Sequence, residues 1–158
     1  MQKVLIVANQ TIGSTELSTA VTDRIAAGTC QFHLLVPVPP TPPSAISVGL
    51  AAVESAATAF MVLPDLRALA EERLVVGLEW LQSLGADATG EVGAIDTVAA
   101  VSALVERDEF DEVIVSTLPS RLSKWLRQDL PRKIEKSVTV PVTVVTASTA
   151  VAGSPGTN

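Results

Sequence analysis

The sequence predicts an α/β protein, a single Rossmann-like domain built on an open parallel sheet of five strands with helices on both faces. Strand-like and helix-like segments alternate five times along the 158 residues, the pattern of parallel strands joined by crossover helices. The strongest strands are continuous apolar runs, as expected of strands covered on both faces. The composition agrees, because 47% of the residues are hydrophobic and only 18% are charged.

The first strand is predicted at Lys3–Ala8, the apolar and partly β-branched run KVLIVA. Ser14 is a predicted N-cap of the following helix, and Glu16 suits the positive end of the helix dipole. Gly28 supplies a stop. The apolar stripe of this helix consists of Leu17, Ala20, Val21 and Ile25.

The second strand is predicted at Gln31–Val38 and ends in the proline-rich run PVPPTPP, which cannot continue a ladder. Residues 39–64 form a predicted proline-rich connector and apolar insertion. Within it, Ser44–Leu63 is close to the length needed to span a membrane. However, Glu54 and Pro64 favour a helix buried on the sheet or on a partner subunit. A further helix is predicted at Asp65–Leu84, with a stripe of Leu66, Leu69, Leu74, Leu78 and Leu81.

The remaining elements complete the alternation. Asp87–Gly93 is a weak strand with few apolar residues, expected at a sheet edge. Asp96 is a predicted cap of a helix that carries Val98, Val101, Leu104 and Val105. The last strands are predicted at Glu112–Ser116 and Val140–Thr146, around a helix at Ser120–Ser137. Pro131 in that helix predicts either a kink or two shorter helices that meet at Asp129, with the Asp129 side chain capping the second. The domain is thus predicted to span residues 1–147, followed by a flexible tail at 148–158.

Charge and cysteine content narrow the function classes. The net charge of −6 and the pI near 4.7 disfavour nucleic acid and anionic membranes as partners. One cysteine, Cys30, excludes an intrachain disulfide, and the chain starts directly with strand-like residues. We therefore expect a cytoplasmic protein.

In open parallel sheets, ligands bind beyond the carboxyl ends of the strands, where the strand order reverses. Asn9 and Thr11 follow the first strand, Val36 ends the second, and Ser116 and Thr117 end the fourth. Beyond them come Ser120, Arg121 and Lys124, and the two cations form a ridge with Arg127 at helical spacing. The set predicts either a site for a nucleotide or a small anion or a solvated helix face with no ligand.

Three stretches together resemble the universal stress protein family: VLIVANQT with its following helix, FDEVIVSTLPS and the closing VPVTVV. The similarity extends over most of the chain except for the region from Pro39 to Pro64. It implies a five-stranded parallel sheet and a homodimer commonly joined along the last strand. In one branch of the family it also implies binding of ATP or AMP.

The family's ATP signature is missing from this chain. Members that bind ATP have an Asp where Asn9 stands and three glycines after the fourth strand. Aligned forward from that strand, the glycine positions fall on Ser116, Pro119 and Asp129, and aligned backward from Pro141 they slip by one residue. No glycine occurs between Gly93 and Gly153. Pro119 cannot adopt the backbone conformations that glycine allows near phosphate, and Asp129 would add a negative charge. The resemblance therefore implies a degenerate nucleotide site, with no cofactor as the first expectation and AMP or ATP as the alternative.

No set of residues predicts catalysis or metal binding. His33, the sole histidine, lies in an apolar strand and is expected to be a hydrogen-bonded core side chain. Cys30 has no neighbour that would activate its thiol. The acidic residues are expected on solvated surfaces: Glu71, Glu72, Glu79, Asp108, Glu109, Asp111 and Glu112.

The sequence thus favours a non-enzymatic, stress-protein-like homodimer that acts as a regulatory or scaffolding module, with an unidentified protein as a further partner. The alternative is a sensor of AMP, ATP or a small anion that uses the strand-end cleft and the basic helix 120–137. For the dimer, the apolar run 45–63 and the last strand are competing interfaces.

Overall fold

The computed structural model describes residues 1–38, 66–94, 96–119 and 129–148. The strands are β1 (Gln2–Val7), β2 (Cys30–Pro37), β3 (Asp87–Gly93), β4 (Glu112–Thr117) and β5 (Val142–Thr146). The described helices are α1 (Thr15–Ala27), α2 (Leu66–Ser83), α3 (Thr97–Arg107) and α4 (Leu130–Ser137). The order of elements matches the prediction, and the strand boundaries differ from it by two residues or fewer.

The five strands form one parallel sheet in the order β3-β2-β1-β4-β5. The chain moves outward from β1 to β3 and then crosses back to β4, so the strand order reverses between β1 and β4. In that central pair Val7 lies opposite Val115, and on the other side of β1 Val7 lies opposite Leu35. The predicted fold class is confirmed, and β3 lies at the edge where its weak apolar pattern placed it.

Each face of the sheet has its own hydrophobic core, because apolar side chains alternate between the faces along the central strands. On one face, Ile6 and Leu34 pack with residues of α1 and α2. On the other face, Leu5 and Val115 pack with residues of α3 and α4. Val4, Leu5, Ile6 and Val7 of β1 are all fully buried, so β1 is covered on both sides.

The helix ends follow their predicted caps in α1 and α3. The Ser14 hydroxyl accepts a hydrogen bond from the Leu17 amide, and the Asp96 carboxylate accepts one from the Ala99 amide. The stop at Gly28 is also confirmed, since its amide donates to the last carbonyls of α1. These bonds satisfy backbone groups that would otherwise lack partners at the helix ends.

Asp129 at the start of α4 departs from the prediction. It occupies the N-cap position, but its side chain makes no capping hydrogen bond and its backbone is left-handed, with φ 57°. The reason is geometric: an N-cap side chain reaches the helix amides from an extended backbone, which the left-handed conformation does not provide. The prediction that the Asp129 side chain caps a second helix is therefore wrong.

The predicted burial of two residues is also wrong. Leu69 of the expected apolar stripe of α2 is 41% exposed, whereas Ala70 and Leu81 of that helix are buried. Glu112, expected on a solvated surface, is instead only 12% exposed and forms an ion pair with Arg24. The predicted connector and apolar segment at 39–64, and all but the first residue of the tail at 148–158, lie outside the described residues. No helix in the described part of the chain is long and apolar enough to cross a membrane.

Candidate ligand site at the carboxyl edge of the sheet

The carboxyl ends of β1 and β4 are joined by a pair of buried hydroxyls. The Ser116 hydroxyl donates to Thr11 Oγ1 at 2.7 Å, and the Thr11 hydroxyl donates to the Ser116 carbonyl oxygen at 3.3 Å. Thr11 is 2% exposed and Ser116 is 1% exposed. The structure therefore brings these two predicted site residues together, but in a closed arrangement in which both hydroxyls already have partners within the pair.

The other predicted site residues are placed differently. Thr117 is 1% exposed, and its hydroxyl has no hydrogen-bond partner among the residues described. Val36 is fully buried and its side chain belongs to the core shared with α1 and α2. Ser120, Arg121 and Lys124 lie outside the described residues, so their predicted role in a basic ridge stays a prediction.

Asn9, just beyond β1, contacts a residue that the sequence did not single out. Its side-chain oxygen accepts a hydrogen bond from Nη1 of Arg73, which lies 64 positions along the chain in the middle of α2. Both residues are half-buried. A guanidinium group therefore lies at the carboxyl edge of the sheet, beside the residue that follows its central strand.

Close packing of α2 explains how Arg73 reaches this edge. One turn after Arg73, Gly77 is buried, and a Cβ there would overlap the Leu34 side chain and lie 3.4 Å from Ile12 Cγ2. Ile12 belongs to the loop that also contains Asn9 and Thr11. Because residues four apart share a helix face, the contact that presses Gly77 onto this loop also directs Arg73 toward it.

The electrostatics of Arg73 differ from those of the other paired arginines. Burial lowers the pKa of Arg73, and no carboxylate of the described residues opposes this effect. By contrast, a hydrogen bond with Glu112 raises the pKa of Arg24, and one with Asp108 raises the pKa of Arg107. Within the described part of the chain, Arg73 thus contacts a neutral amide oxygen where the other two arginines contact carboxylates.

The Arg24–Glu112 pair lies at the opposite, amino edge of the sheet and has a structural role. Arg24 Nε and Nη2 donate to the two carboxylate oxygens of Glu112 at 3.0 and 2.6 Å, and the Thr143 hydroxyl donates to one of them at 2.6 Å. Hydrogen bonds from Arg24 and Thr143 hold the pKa of Glu112 below its ordinary value, against the effect of burial. The cluster ties α1, β4 and β5 together.

The amino edge also contains a cavity of about 230 Å³, lined in part by Lys3, Gln31, His33 and Asp108. His33 Nδ1 is 2.8 Å from the Thr89 hydroxyl, and its ring centroid is 6.0 Å from that of Phe110. The hydrogen bond predicted for His33 is present, but its side chain is half-buried and lines this cavity instead of lying in the core. The lining mixes both charge signs and includes none of the residues predicted for a ligand site, so this cavity is separate from the carboxyl edge.

Other candidates for chemistry are accounted for by local contacts. The Cys30 thiol donates to the Arg24 carbonyl oxygen at 3.2 Å, an interaction that belongs to the end of α1. Among the residues that the structure describes, no cluster of three His, Cys, Asp or Glu side chains could hold a metal ion.

Comparison with solved structures places this architecture among known folds. A universal stress protein crystallised in complex with cAMP matches with a TM-score of 0.56 and 18% identity over 93% of this chain and 98% of its own. A universal stress protein from Archaeoglobus fulgidus matches with a TM-score of 0.59 and 7% identity, covering 92% and 93%. The chain has the universal stress protein fold. No protein-family model and no curated protein sequence matches it.

In one of the two registers that the sequence resemblance allows, Asp129 is the residue expected where ATP-binding members have their third glycine. Asp129 is the described non-glycine residue with positive φ, a conformation that glycine adopts without strain. The backbone conformation is thus compatible with glycine at this position, while the residue that occupies it adds a carboxylate. Pro119, at the second position, retains no freedom of φ.

Proposed function

We propose that this protein is a non-enzymatic cytoplasmic module with the universal stress protein fold, that it acts as a homodimer in regulation or scaffolding, and that it does not bind ATP through a glycine-based phosphate loop. The proposal rests on two hydrogen bonds at the edge where a ligand would enter. The buried Ser116 hydroxyl donates to the Thr11 hydroxyl, which in turn donates to the Ser116 carbonyl oxygen. A phosphate bound by these groups would have to displace bonds that the protein already makes.

The chain following β4 supports the same conclusion. With no glycine between Gly93 and Gly153, its amides cannot approach a triphosphate as closely as an unsubstituted backbone would. Asp129 also places a negative charge at the start of α4, where a helix would otherwise favour an anion. Both features disfavour a triphosphate more than a single small anion.

Thermal unfolding with added ligands tests this proposal. A ligand at a hundred times its dissociation constant stabilises a protein by about 2.7 kcal/mol. We expect Mg-ATP to raise the melting temperature no more than inorganic phosphate at equal concentration and ionic strength, and adenosine to have no effect. Stoichiometric ATP binding at least a hundredfold tighter than phosphate binding would refute the proposal.

The homodimer is proposed to form along β5, the edge strand next to β4. Val144 in this strand is 45% exposed, and a parallel edge strand presents backbone groups that can pair with another chain. Light scattering should give the mass of a dimer for the natural chain and of a monomer for Val144→Lys, whose charge disfavours edge pairing. A dimer that persists in Val144→Lys would place the interface elsewhere, and a natural chain that is monomeric would refute the dimer itself.

A second function, sensing of a nucleotide or small anion, is favoured by the position of Arg73. A solved structure with the same fold holds cAMP, and here a guanidinium group without a described carboxylate partner lies against Asn9 at the ligand-binding edge. In this form the module responds to a ligand rather than only to a protein partner. If none of these ligands stabilised the natural chain against thermal unfolding, the sensor function would be excluded.

A further inference from the structure

We propose that Arg73 is the recognition residue of a site for one small oxyanion, a carboxylate or a phosphate group, at the carboxyl edge of the sheet. This inference rests on the second function proposed above and assigns its ligand class. It moves the centre of recognition from the predicted basic helix at 120–137 to α2.

The guanidinium of Arg73 is incompletely paired within the described part of the chain. Arg73 is half-buried, its described hydrogen bond goes to the neutral side-chain oxygen of Asn9, and no described carboxylate lies against it. Partial removal of a guanidinium from water costs free energy that a hydrogen-bonded counter-charge can offset. An anion that accepted the remaining N–H groups would supply the missing counter-charge.

The guanidinium of Arg73 is also held in place before any ligand arrives. Asn9 binds one of its nitrogens, and the tight contact of Gly77 with Leu34 and Ile12 fixes α2 against the loop. A planar, positioned guanidinium recognises the paired oxygens of a carboxylate or phosphate with little loss of side-chain entropy.

The guanidinium of Arg73 suits one oxyanion better than a polyphosphate. A single guanidinium balances about one negative charge, and the chain carries a net charge of −6 that would repel further charges. Inorganic phosphate, a phosphate monoester and a small carboxylate share the required chemistry, and the experiment separates them.

The test uses isothermal titration of the full chain with phosphate, AMP, adenosine and acetate at constant ionic strength. Arg73→Gln removes the charge, Arg73→Lys keeps it without the planar fork, and Lys136→Gln is a charge-matched control on the exposed last turn of α4. We expect saturable binding of phosphate, AMP or acetate to the natural chain. We expect binding about 10- to 100-fold weaker in Arg73→Gln, the range for a lost charge-assisted hydrogen bond. Lys136→Gln should bind as the natural chain does, and Arg73→Lys should fall between the two.

The remaining outcomes refute the inference in distinguishable ways. Equal binding by the natural chain and Arg73→Gln, or equal loss in Lys136→Gln, would show that Arg73 is not the recognition residue. Adenosine binding as tightly as AMP would show recognition of the nucleoside, which overturns the oxyanion site but leaves a sensor intact. Circular dichroism tests whether Arg73→Gln is folded. If it is unfolded, the affinity of Arg73→Lys decides, and an affinity equal to that of the natural chain would show that the planar guanidinium is not required.

Discussion

Replacement of Glu112 by Gln should measurably destabilise the protein, because Glu112 joins three elements through one carboxylate. The side chain is 12% exposed and accepts hydrogen bonds from Arg24 and Thr143. The variant keeps its shape but loses the charge opposite a half-buried guanidinium. Hydrogen bonds to charged groups contribute about 1.5–3 kcal/mol, so we expect a loss of that size at pH 7.

The pH dependence gives this prediction a second test. Because the folded-state pKa of Glu112 is lowered below its ordinary value of 4.5, the unfolded chain takes up the proton first as the pH falls. The stabilisation is complete well above pH 4.5 and is lost as the pH falls toward and through the lowered folded pKa. The stability curves of the natural chain and Glu112→Gln should therefore converge in acid.

Urea unfolding followed by circular dichroism between pH 3 and pH 8 measures both effects. Glu109→Gln, at an exposed position three residues earlier, is the matched control and should change stability by less than about 0.5 kcal/mol. Equal stability of Glu112→Gln and the natural chain at pH 7, or a stability difference that does not shrink in acid, would contradict this role of Glu112.

Two further predictions concern the backbone. Asp129→Gly should stabilise the protein by about 0.5–1 kcal/mol, because glycine adopts a φ of 57° without the strain that a Cβ adds; a lower urea midpoint than that of the natural chain would contradict this. Gly90→Ala should destabilise it by about 1–3 kcal/mol, because the new Cβ would lie 2.7 Å from the carbonyl oxygen of Leu34. Gly28→Ala, whose Cβ meets nothing within 4 Å, is the control, and equal midpoints for the two alanine variants would refute the clash.

The fold could be predicted from the sequence because its signals are local. Apolar runs such as that of β1 reveal strands buried on both faces, and caps such as Ser14 and Asp96 mark helix starts within a few residues. Even the edge position of β3 follows from its poor apolar content. These features depend on neighbours in the sequence, so the sequence alone contains them.

The candidate site could be predicted only in part because its pairings are long-range. Thr11 and Ser116 were placed at one edge by the strand-end rule, but their mutual bonding depends on side-chain geometry. Arg73 meets Asn9 across 64 positions, and within α2 it is an ordinary arginine of a helix. The glycine four residues later was the available signal, since a glycine inside a helix suggests close packing.

Glu112 shows the same limit for charged residues. In the sequence it follows Asp111 in an acidic stretch, which is typical of a solvated surface. In the fold it forms an ion pair with Arg24, 88 positions away, where the start of β4 meets α1 and β5. Whether a carboxylate is solvated or paired is decided by tertiary contacts that no local pattern contains.

The single imidazole of this protein provides a natural spectroscopic reporter for the β3 edge. His33 contacts the Thr89 hydroxyl of that strand and lies 6.0 Å from the ring of Phe110, whose ring current affects the imidazole protons. With one histidine in the chain, its proton NMR signals need no assignment and no label. Separation of the outermost strand from the sheet can thus be distinguished from unfolding of the whole domain.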